Sequence, residues 1–304
     1  MKNDDFRKMV RKERERSFLK PYDLVYREFE TEWYHLQDPS FFFENASRII
    51  QQLRHNTWQE YQPLAREFTS RMLKSLVDEK EINHLTGITA ITWFIDKYPN
   101  EIDALVVSNT NSRRSRAGNE FEAIIELVIM GAGIPLDSQG NVGKKYFEKK
   151  GLAKIVDLVC PHSTAYELDK RRTVLISAKT TLRERWQEVT DEMARTGVKE
   201  LYLVTLDDSV SKDVIENLYE NGIWLVTTRK NKHKNYNDTN RVIEFEELLQ
   251  KLKEVSEKWQ ASNDFSESSK KKIIASYQRQ MTKHTNAAFV VKYYEEQIKN
   301  LDKN

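Results

Sequence analysis

Cysteine is nearly absent from this 304-residue sequence, and so are long apolar runs. Cys160 is the only cysteine, which excludes a disulfide framework and favours a reducing compartment. The most apolar segment, residues 121–134, is interrupted by Glu122 and Glu126, and it falls short of the roughly 20 residues that span a bilayer. Residues 1–16 contain no apolar signal-peptide region. We therefore expect a cytoplasmic protein with no membrane partner.

Nucleotide-binding and zinc-binding motifs are missing as well. The sequence has no Walker loop and no G-x-G-x-x-G motif, and its six histidines form no metal-ligand pair at helical spacing. These absences argue against a nucleotide-driven motor and against a zinc enzyme. The net charge is only +2, from 49 basic and 47 acidic residues, so it neither favours nor excludes a nucleic acid as partner.

Hydrophobic periodicity predicts helices in the first part of the chain and an α/β region after it. Apolar residues at three-to-four spacing predict helices over residues 18–32, 45–59, 61–77, 85–98 and 120–130, with Pro39, Pro63 and Pro99 as boundaries. Short β-branched runs predict strands over residues 153–160, 173–178, 201–206 and 223–227, with helices at 186–195 and 210–220. This order is typical of an α/β fold with a mixed β-sheet core flanked by helices.

The same patterns predict how the chain is organised. We expect one domain over residues 1–304, with a helical N-terminal part at 1–100 and the α/β core at 101–245. Residues 229–241 read as a polar loop, and the charged C-terminal part at 246–304 is predicted to be helical.

A lone carboxylate in one apolar run and a lysine at the end of the next are the first candidates for chemistry. Asp157 interrupts IVDLV, and a buried carboxylate destabilises the fold by several kcal/mol unless it is paired or binds a metal. Lys179 closes VLISAK, so both residues should lie at neighbouring strand ends. A carboxylate that binds Mg²⁺ and a lysine that positions water form the minimal apparatus of metal-dependent phosphodiester hydrolysis. Taken alone, the pair is more often a local hydrogen-bond network at a sheet edge.

The string that follows, SAKTTLRERWQEVTDE, resembles the signature of the PD-(D/E)XK nuclease superfamily. It is most similar to the SsoII-like type II restriction endonucleases, which are related to EcoRII and NgoMIV. In that group a small residue, here Ser177, replaces the usual second acid, and the pattern K-x(12)-E supplies the carboxylate from Glu192. The resemblance implies a restriction-endonuclease-like fold, Mg²⁺ as cofactor and catalytic residues Asp157, Lys179, Glu192 and Glu122. The three carboxylates among these are the implied metal ligands.

Arg183, Glu184 and Arg185 follow the lysine closely and could be an ordinary charge cluster at a helix start. In the major groove guanine presents two acceptors and cytosine a donor, so two arginines around a glutamate suit two adjacent G·C pairs. The resemblance assigns the triplet to base recognition. It also places an amide side chain, often glutamine, where this chain has the shorter Asn111. A homodimer presents the triplet twice and would read a palindrome.

Two further groups are implied to contact DNA. Arg113, Arg114 and Arg116 form a basic segment that we expect on phosphates or in the minor groove. Arg54 and Trp58 are four residues apart, hence on one face of a helix. A core tryptophan capped by an arginine is the simpler interpretation of this pair. The resemblance instead implies a pocket in which the two side chains stack on a flipped-out central nucleotide.

Together with the resemblance, which implies cleavage at CCNGG, these features predict a homodimeric, Mg²⁺-dependent endonuclease that cuts double-stranded DNA. CCWGG and CCGG are the next candidate sites, and association beyond a dimer stays open. A cognate cytosine DNA methyltransferase is the expected genetic partner. Two alternatives are a non-cleaving, sequence-specific DNA-binding protein on the same scaffold and a structure-selective repair nuclease, which would leave the Arg183–Arg185 triplet unexplained.

Overall fold

The computed structural model describes residues 3–152, 156–183, 186–262 and 265–302, and the chain divides into two units. The first unit comprises Met1–Leu24 and His55–Glu120, and the second comprises Val25–Arg54 and Phe121–Asn304. All three boundaries between the units fall inside helices. The single domain expected over the whole chain stays a prediction.

Helices make up most of the first 131 residues. Their bounds are α1 (Asn3–Ser17), α2 (Pro21–Thr31), α3 (Pro39–Lys74), α4 (Glu79–Ile82), α5 (Gly87–Lys97) and α6 (Pro99–Gly131), with a 3₁₀ turn at Tyr34–Leu36. In the first unit, α1, α3 and α6 bury a common apolar core that includes Phe6, Val10, Phe68, Met72 and Leu105. The helical N-terminal part is confirmed, and α1 had not been predicted.

Helix α3 is unbroken over 36 residues, so the predicted boundary at Pro63 is wrong. A proline inside a helix removes one backbone hydrogen bond and costs about 3 kcal/mol or more. Tyr61 and Phe68, before and after Pro63, are both buried in the first unit. Burial of a large side chain contributes roughly 1.5 to 3 kcal/mol. Packing on both sides of the proline therefore offsets the local cost.

Helix α6 is 33 residues long and includes the basic segment that was predicted to precede a shorter helix. The polar string NTNSRRSRAG lacks the apolar stripe by which helices are recognised, so periodicity could not show the helix there. At its end, Gly131 is required, because a Cβ at this position would collide with the ring of Phe42 on α3. This close approach fixes the end of α6 that carries Glu122.

In the described part of the chain, the second unit centres on a six-stranded mixed sheet. Its strands are β1 (Asp137–Ser138), β2 (Leu158–Cys160), β3 (Val174–Lys179), β4 (Leu201–Thr205), β5 (Ile223–Thr227) and β6 (Val242–Glu244), in spatial as well as chain order. The first three strands pair antiparallel, and β3 to β6 pair parallel.

The sheet confirms the predicted α/β fold. β3, β4 and β5 lie within one residue of their predicted bounds, and β2 is the end of the predicted run 153–160, of which 153–155 lie outside the described residues. β1 and β6 were missed because two or three residues are too few to show an alternation.

Nine further helices with described bounds connect or cover the strands. They are α7 (Gln139–Val142), α8 (Lys144–Lys149), α9 (Ser163–Leu168), α10 (Trp186–Thr196), α11 (Lys212–Glu220), α12 (Arg229–Asn235), α13 (Phe245–Ala261), α14 (Glu267–Lys283) and α15 (Ala288–Asp302), with a 3₁₀ turn at Lys170–Arg172. Helix α12 corrects the predicted loop at 229–241. The side chain of Thr228 caps it by accepting from the Asn231 amide, and all its residues are polar, so no apolar pattern marked it.

Helices pack on both faces of the sheet. On one face, Val189 and Met193 of α10 and Leu218 of α11 join Leu175 in the core. On the other, the sulfur of Cys160 lies 3.6 Å from the Leu252 carbonyl oxygen of α13. No helix of the described part combines the length and apolar character that crossing a membrane requires.

Candidate active site

Asp157 lies where β2 begins, beside the end of β3. Its backbone N–H donates to the Ile176 carbonyl at 2.9 Å, and its carbonyl accepts from the Gln139 amide at 2.7 Å. The residue is buried, and its Oδ2 accepts a hydrogen bond from the Ala178 amide at 2.6 Å. Backbone pairing on both sides therefore holds this carboxylate at one edge of the sheet.

Lys179 is the last residue of β3 and reaches the same carboxylate. Its Nζ lies 3.1 Å from Asp157 Oδ2 and 3.0 Å from the Ala178 carbonyl oxygen. Only 15% of the lysine side chain and 7% of the aspartate side chain are exposed, so solvent screens this ion pair weakly. The structure thus brings together the two residues that the sequence placed at neighbouring strand ends.

Glu122, on α6, adds a second carboxylate to this cluster. Burial raises the pKa of Glu122 to about 8, and the negative charge of Asp157 adds to the shift while Lys179 opposes it. Burial also raises the pKa of Asp157, against the charge of Lys179 and the hydrogen bond from Ala178. Burial is thus the main cause of both raised pKa values in this cluster of two acids and one lysine.

Ser177 occupies the position two residues before the lysine where a second acid is usual. It is fully buried, and its Oγ has no hydrogen-bond partner among the described residues. Side chains alternate along a strand, so Ser177 shares the face of Leu175, which packs with α10. Helix α10 contains Glu192.

The third predicted metal ligand therefore belongs to the helix that packs on this face. The side chain of Glu192 lies outside the described residues. Among the described side chains, no group of three histidine, cysteine, aspartate or glutamate residues forms a metal cluster. The displaced carboxylate at Glu192 stays a prediction.

The loop after β3 carries the predicted base-reading residues. Leu182 is buried in the core of the second unit, and Arg183 is exposed with φ at 44°, in the left-handed region. This conformation costs a residue other than glycine roughly 1 to 2 kcal/mol. Glu184 and Arg185 lie outside the described residues.

Asp207 contacts the loop that carries Arg183 and was not among the predicted site residues. It follows β4 by two residues, at the edge where Thr205 pairs in register with Lys179. Its Oδ2 accepts a hydrogen bond from the Leu182 amide at 2.8 Å. The available signal was an acid directly after a buried strand, at the carboxyl edge that parallel strands share.

Other predicted DNA contacts are spread over α3 and α6. In the first unit Trp58 is partly exposed on α3, and Asn111, Arg113 and Arg114 are exposed on α6. Arg54, also partly exposed on α3, belongs to the second unit. These positions leave each side chain some access to a ligand, and their roles stay predictions.

Arg116 differs from its basic neighbours. Its Nε forms an ion pair with Glu120 Oε1 at 2.7 Å, with side-chain exposures of only 10% and 3%. The guanidinium also lies 4.8 Å from the Tyr61 ring centroid and donates to the Leu19 carbonyl at 2.9 Å. These contacts favour a structural role within the first unit over the predicted phosphate contact.

Comparison with known proteins decides the family. The family model described as EcoRII C terminal matches residues 86–249. Over 297 residues the chain is 46% identical to the type II restriction enzyme SsoII of Shigella sonnei, covering 98% of this chain and 97% of that protein. The chain belongs to the SsoII-like type II restriction endonucleases. Because this alignment spans nearly the whole length of both chains, the assignment includes the C-terminal helices, which contain none of the sequence motifs.

Further comparisons agree with this SsoII-like assignment. The type II restriction enzyme EcoRII of Escherichia coli is 27% identical over 142 residues, 45% of this chain and 32% of that protein. Metal-depleted Ecl18kI in complex with uncleaved, modified DNA matches with a TM-score of 0.93 at 44% identity, covering 99% of this chain and all of that one. A PspGI–substrate DNA complex, with a TM-score of 0.54 at 15% identity over 78% of this chain and 92% of that one, shows the fold alone. The predicted family and fold are confirmed.

Proposed function

We propose that this SsoII-like endonuclease hydrolyses phosphodiester bonds of double-stranded DNA at CCNGG sites, with Mg²⁺ as cofactor. The observation that carries the proposal is the buried Asp157–Lys179 pair at the sheet edge, with Glu122 close enough to interact electrostatically with both. Acids held in such surroundings destabilise a fold unless a ligand compensates them, and they are typical of catalytic sites. A silent DNA-binding protein has no use for them.

The donor set fits a divalent cation. Both hydrogen bonds from described residues to the Asp157 carboxylate reach Oδ2, which leaves Oδ1 for a metal. Hard carboxylate oxygens are the ligands that Mg²⁺ prefers, and a cation would offset the burial and the repulsion from Asp157 that together raise the pKa of Glu122. Bound Mg²⁺ supplies polarisation of the phosphate and a lower pKa for a coordinated water. Asp157, Glu122 and Glu192 would hold it.

Lys179 positions the phosphate or the attacking water and neutralises charge on the phosphate. Its ammonium group has three hydrogens, of which two point to Asp157 Oδ2 and to the Ala178 carbonyl. The third is left for the attacked phosphate or the water that attacks it. These contacts hold the ammonium group beside the carboxylate, where it can offset negative charge that develops on the phosphate.

Recognition of the outer G·C pairs is assigned to the loop after β3. Arg183 is exposed on this loop, four residues beyond the end of the catalytic strand; its guanidinium suits the O6 and N7 acceptors of guanine. Arg185 would take the second guanine, and Glu184 would accept from cytosine. The two Ecl18kI structures that match this chain at 44% identity both contain DNA, which supports duplex DNA as the substrate.

A palindromic site implies that two copies of the triplet Arg183, Glu184 and Arg185 contact the DNA. In a homodimer each copy reads one half-site, and the two-fold axis of the protein matches that of the DNA. Such an enzyme must not cut its own genome, so a cytosine DNA methyltransferase of the same specificity is the proposed genetic partner. Both would act in the cytoplasm, where the DNA is.

Trp58 is assigned to the central nucleotide, and Arg54 is proposed as a separate contact to it. Trp58 is partly exposed, as a stacking platform must be, and stacking on an aromatic ring contributes about 1 to 3 kcal/mol per base without regard to its identity. Extrusion of the central bases would bring the two outer halves together, so one CC/GG reader would serve an interrupted site. Asn111 is proposed as a further base contact, and Arg113 and Arg114 as phosphate contacts.

Digestion of a sequenced plasmid tests the proposal. With Mg²⁺ the protein should cut at every CCNGG and leave 3′-hydroxyl and 5′-phosphate ends, which sequencing from the cut ends would map. Asp157→Asn is the matched control, because it keeps the shape of the side chain and removes its charge. Cuts confined to CCWGG or CCGG would change the proposed target site and leave the catalytic assignment intact. No cutting by the wild-type protein, or cutting unaffected by Asp157→Asn, would overturn the catalytic assignment.

A further inference from the structure

We propose that Asp207 is a positioning residue for the base-reading loop, and that it sets the orientation from which Arg183 contacts guanine. The inference rests on the proposed reading role of Arg183. The two residues lie in different loops at the same sheet edge, 24 positions apart in the chain. The hydrogen bond from the Leu182 amide to Asp207 connects these loops.

The two oxygens of the Asp207 carboxylate have different partners. Oδ1 accepts from the amide and the hydroxyl of Ser209, at 3.1 and 2.8 Å, and so closes its own loop. Oδ2 accepts from the Leu182 amide at 2.8 Å. One carboxylate therefore connects the loop after β4 to the loop after β3, and no neutral side chain of this size offers the same acceptors to both.

Asp207 is itself held from several directions. Its carbonyl oxygen accepts from Asn231 Nδ2 at 2.8 Å and from the Tyr236 hydroxyl at 2.9 Å. Its amide donates to Thr205 Oγ1 at 3.1 Å, and Tyr236 is buried in the core. An anchor fixed in this way can transmit a defined position to the residue that it binds.

Arg183 has a conformation that needs such an anchor. A left-handed residue other than glycine persists only where the surrounding structure determines it. Here the preceding residue, Leu182, is held twice: its side chain is buried in the core and its amide is bound by Asp207. The fixed position of Leu182 therefore restrains the backbone of Arg183 at its φ of 44°. Loss of the Asp207 carboxylate would release Leu182 and let the backbone of Arg183 relax.

A double-mutant cycle between Asp207→Ala and Arg183→Ala tests the inference. The measured quantity is the ratio of affinity for a CCNGG duplex to affinity for a duplex with one G·C pair exchanged, in a chelator to prevent cutting. Asp207→Ala alone should lower this ratio about ten- to a hundredfold, the factor that corresponds to one charge-assisted hydrogen bond. In the Arg183→Ala background the further loss should be less than about threefold, because residues that act as a unit are not additive.

The controls separate positioning from folding. Asp208→Ala removes the same charge from the exposed neighbouring residue and should keep the wild-type ratio. Asp207→Asn keeps an acceptor for one of the two loops and should lower the affinity ratio less than Asp207→Ala does. It replaces the alanine variant in the cycle if that variant unfolds. Ser209→Ala removes only the hydroxyl contact to Oδ1 and should lower the ratio least.

Three outcomes would overturn the positioning role: additive losses in the cycle, an equal fall in affinity for cognate and exchanged DNA, or an equal effect of Asp208→Ala. A different result would overturn the reading role on which it rests. If Arg183→Ala alone leaves discrimination unchanged, Arg183 does not read the base, whatever Asp207→Ala does.

Discussion

Glu122→Gln should make Mg²⁺ binding less dependent on pH, because binding would then release one proton fewer. The Glu122 carboxyl keeps its proton up to about pH 8, because burial and the charge of Asp157 raise its pKa. A carboxylate must be ionised to bind a metal, so binding releases that proton. Well below pH 8 the apparent affinity for Mg²⁺ should therefore rise by about tenfold per pH unit through this group, and by about fiftyfold from pH 6 to pH 8, where half of the groups are ionised.

Single-turnover cleavage over a series of Mg²⁺ concentrations measures this affinity at each pH. In Glu122→Gln the slope of log affinity against pH should be smaller by about one, and the remaining slope belongs to Asp157, whose pKa is also raised. Glu148→Gln, an exposed acid on α8, is the matched control and should keep the wild-type slope. Equal slopes in Glu122→Gln and the wild type would refute Glu122 as a metal ligand.

Thermal unfolding without metal gives an independent test with a defined sign. A carboxyl with a raised pKa binds its proton more tightly in the folded chain, so protonation stabilises the fold. This stabilisation is complete below the ordinary pKa of 4.5 and disappears as the pH rises through about 8. In a chelator, the Tm of the wild type relative to Glu122→Gln should fall between pH 5 and pH 8. A rise over this range would contradict the raised pKa.

Four further substitutions address the other assignments. Asp157→Ala should abolish cleavage and keep specific DNA binding, as measured by gel shift in a chelator; undiminished cleavage by the folded variant would reject a metal ligand. Arg183→Ala should cost about 1 to 3 kcal/mol of binding per G·C pair read, and twice that per dimer, whereas an equal loss on random DNA would indicate a phosphate contact. Trp58→Ala should weaken binding by about 1 to 3 kcal/mol per flipped base, and a duplex with an abasic centre should bind the wild type more tightly; no gain from the abasic centre would count against flipping. Arg116→Met should lower the free energy of unfolding by about 3 to 5 kcal/mol in a urea titration, because the buried Glu120 loses this cation; weaker DNA binding with unchanged stability would restore the phosphate contact.

Local patterns were sufficient for the sheet and for the catalytic pair. β3, β4 and β5 are buried, β-branched runs bounded by turn residues, so their positions follow from the sequence nearby. Asp157 and Lys179 could be selected because a charge within or at the end of such a run needs a partner. The role of Ser177 as the substituted acid came from the family resemblance, since nothing in its neighbourhood marks a serine as unusual.

What the sequence determined by itself is therefore the family, the positions of β3, β4 and β5, and the identity of the two charged residues at the strand ends. Only the tertiary structure decided that α3 continues through Pro63, that α6 includes the basic segment, and that Arg116 is enclosed by its own unit. It also decided that Asp207 reaches Leu182, 25 residues earlier in the chain. These features depend on burial and on contacts between residues distant in sequence, and the free energy of such contacts leaves no periodic trace in the chain.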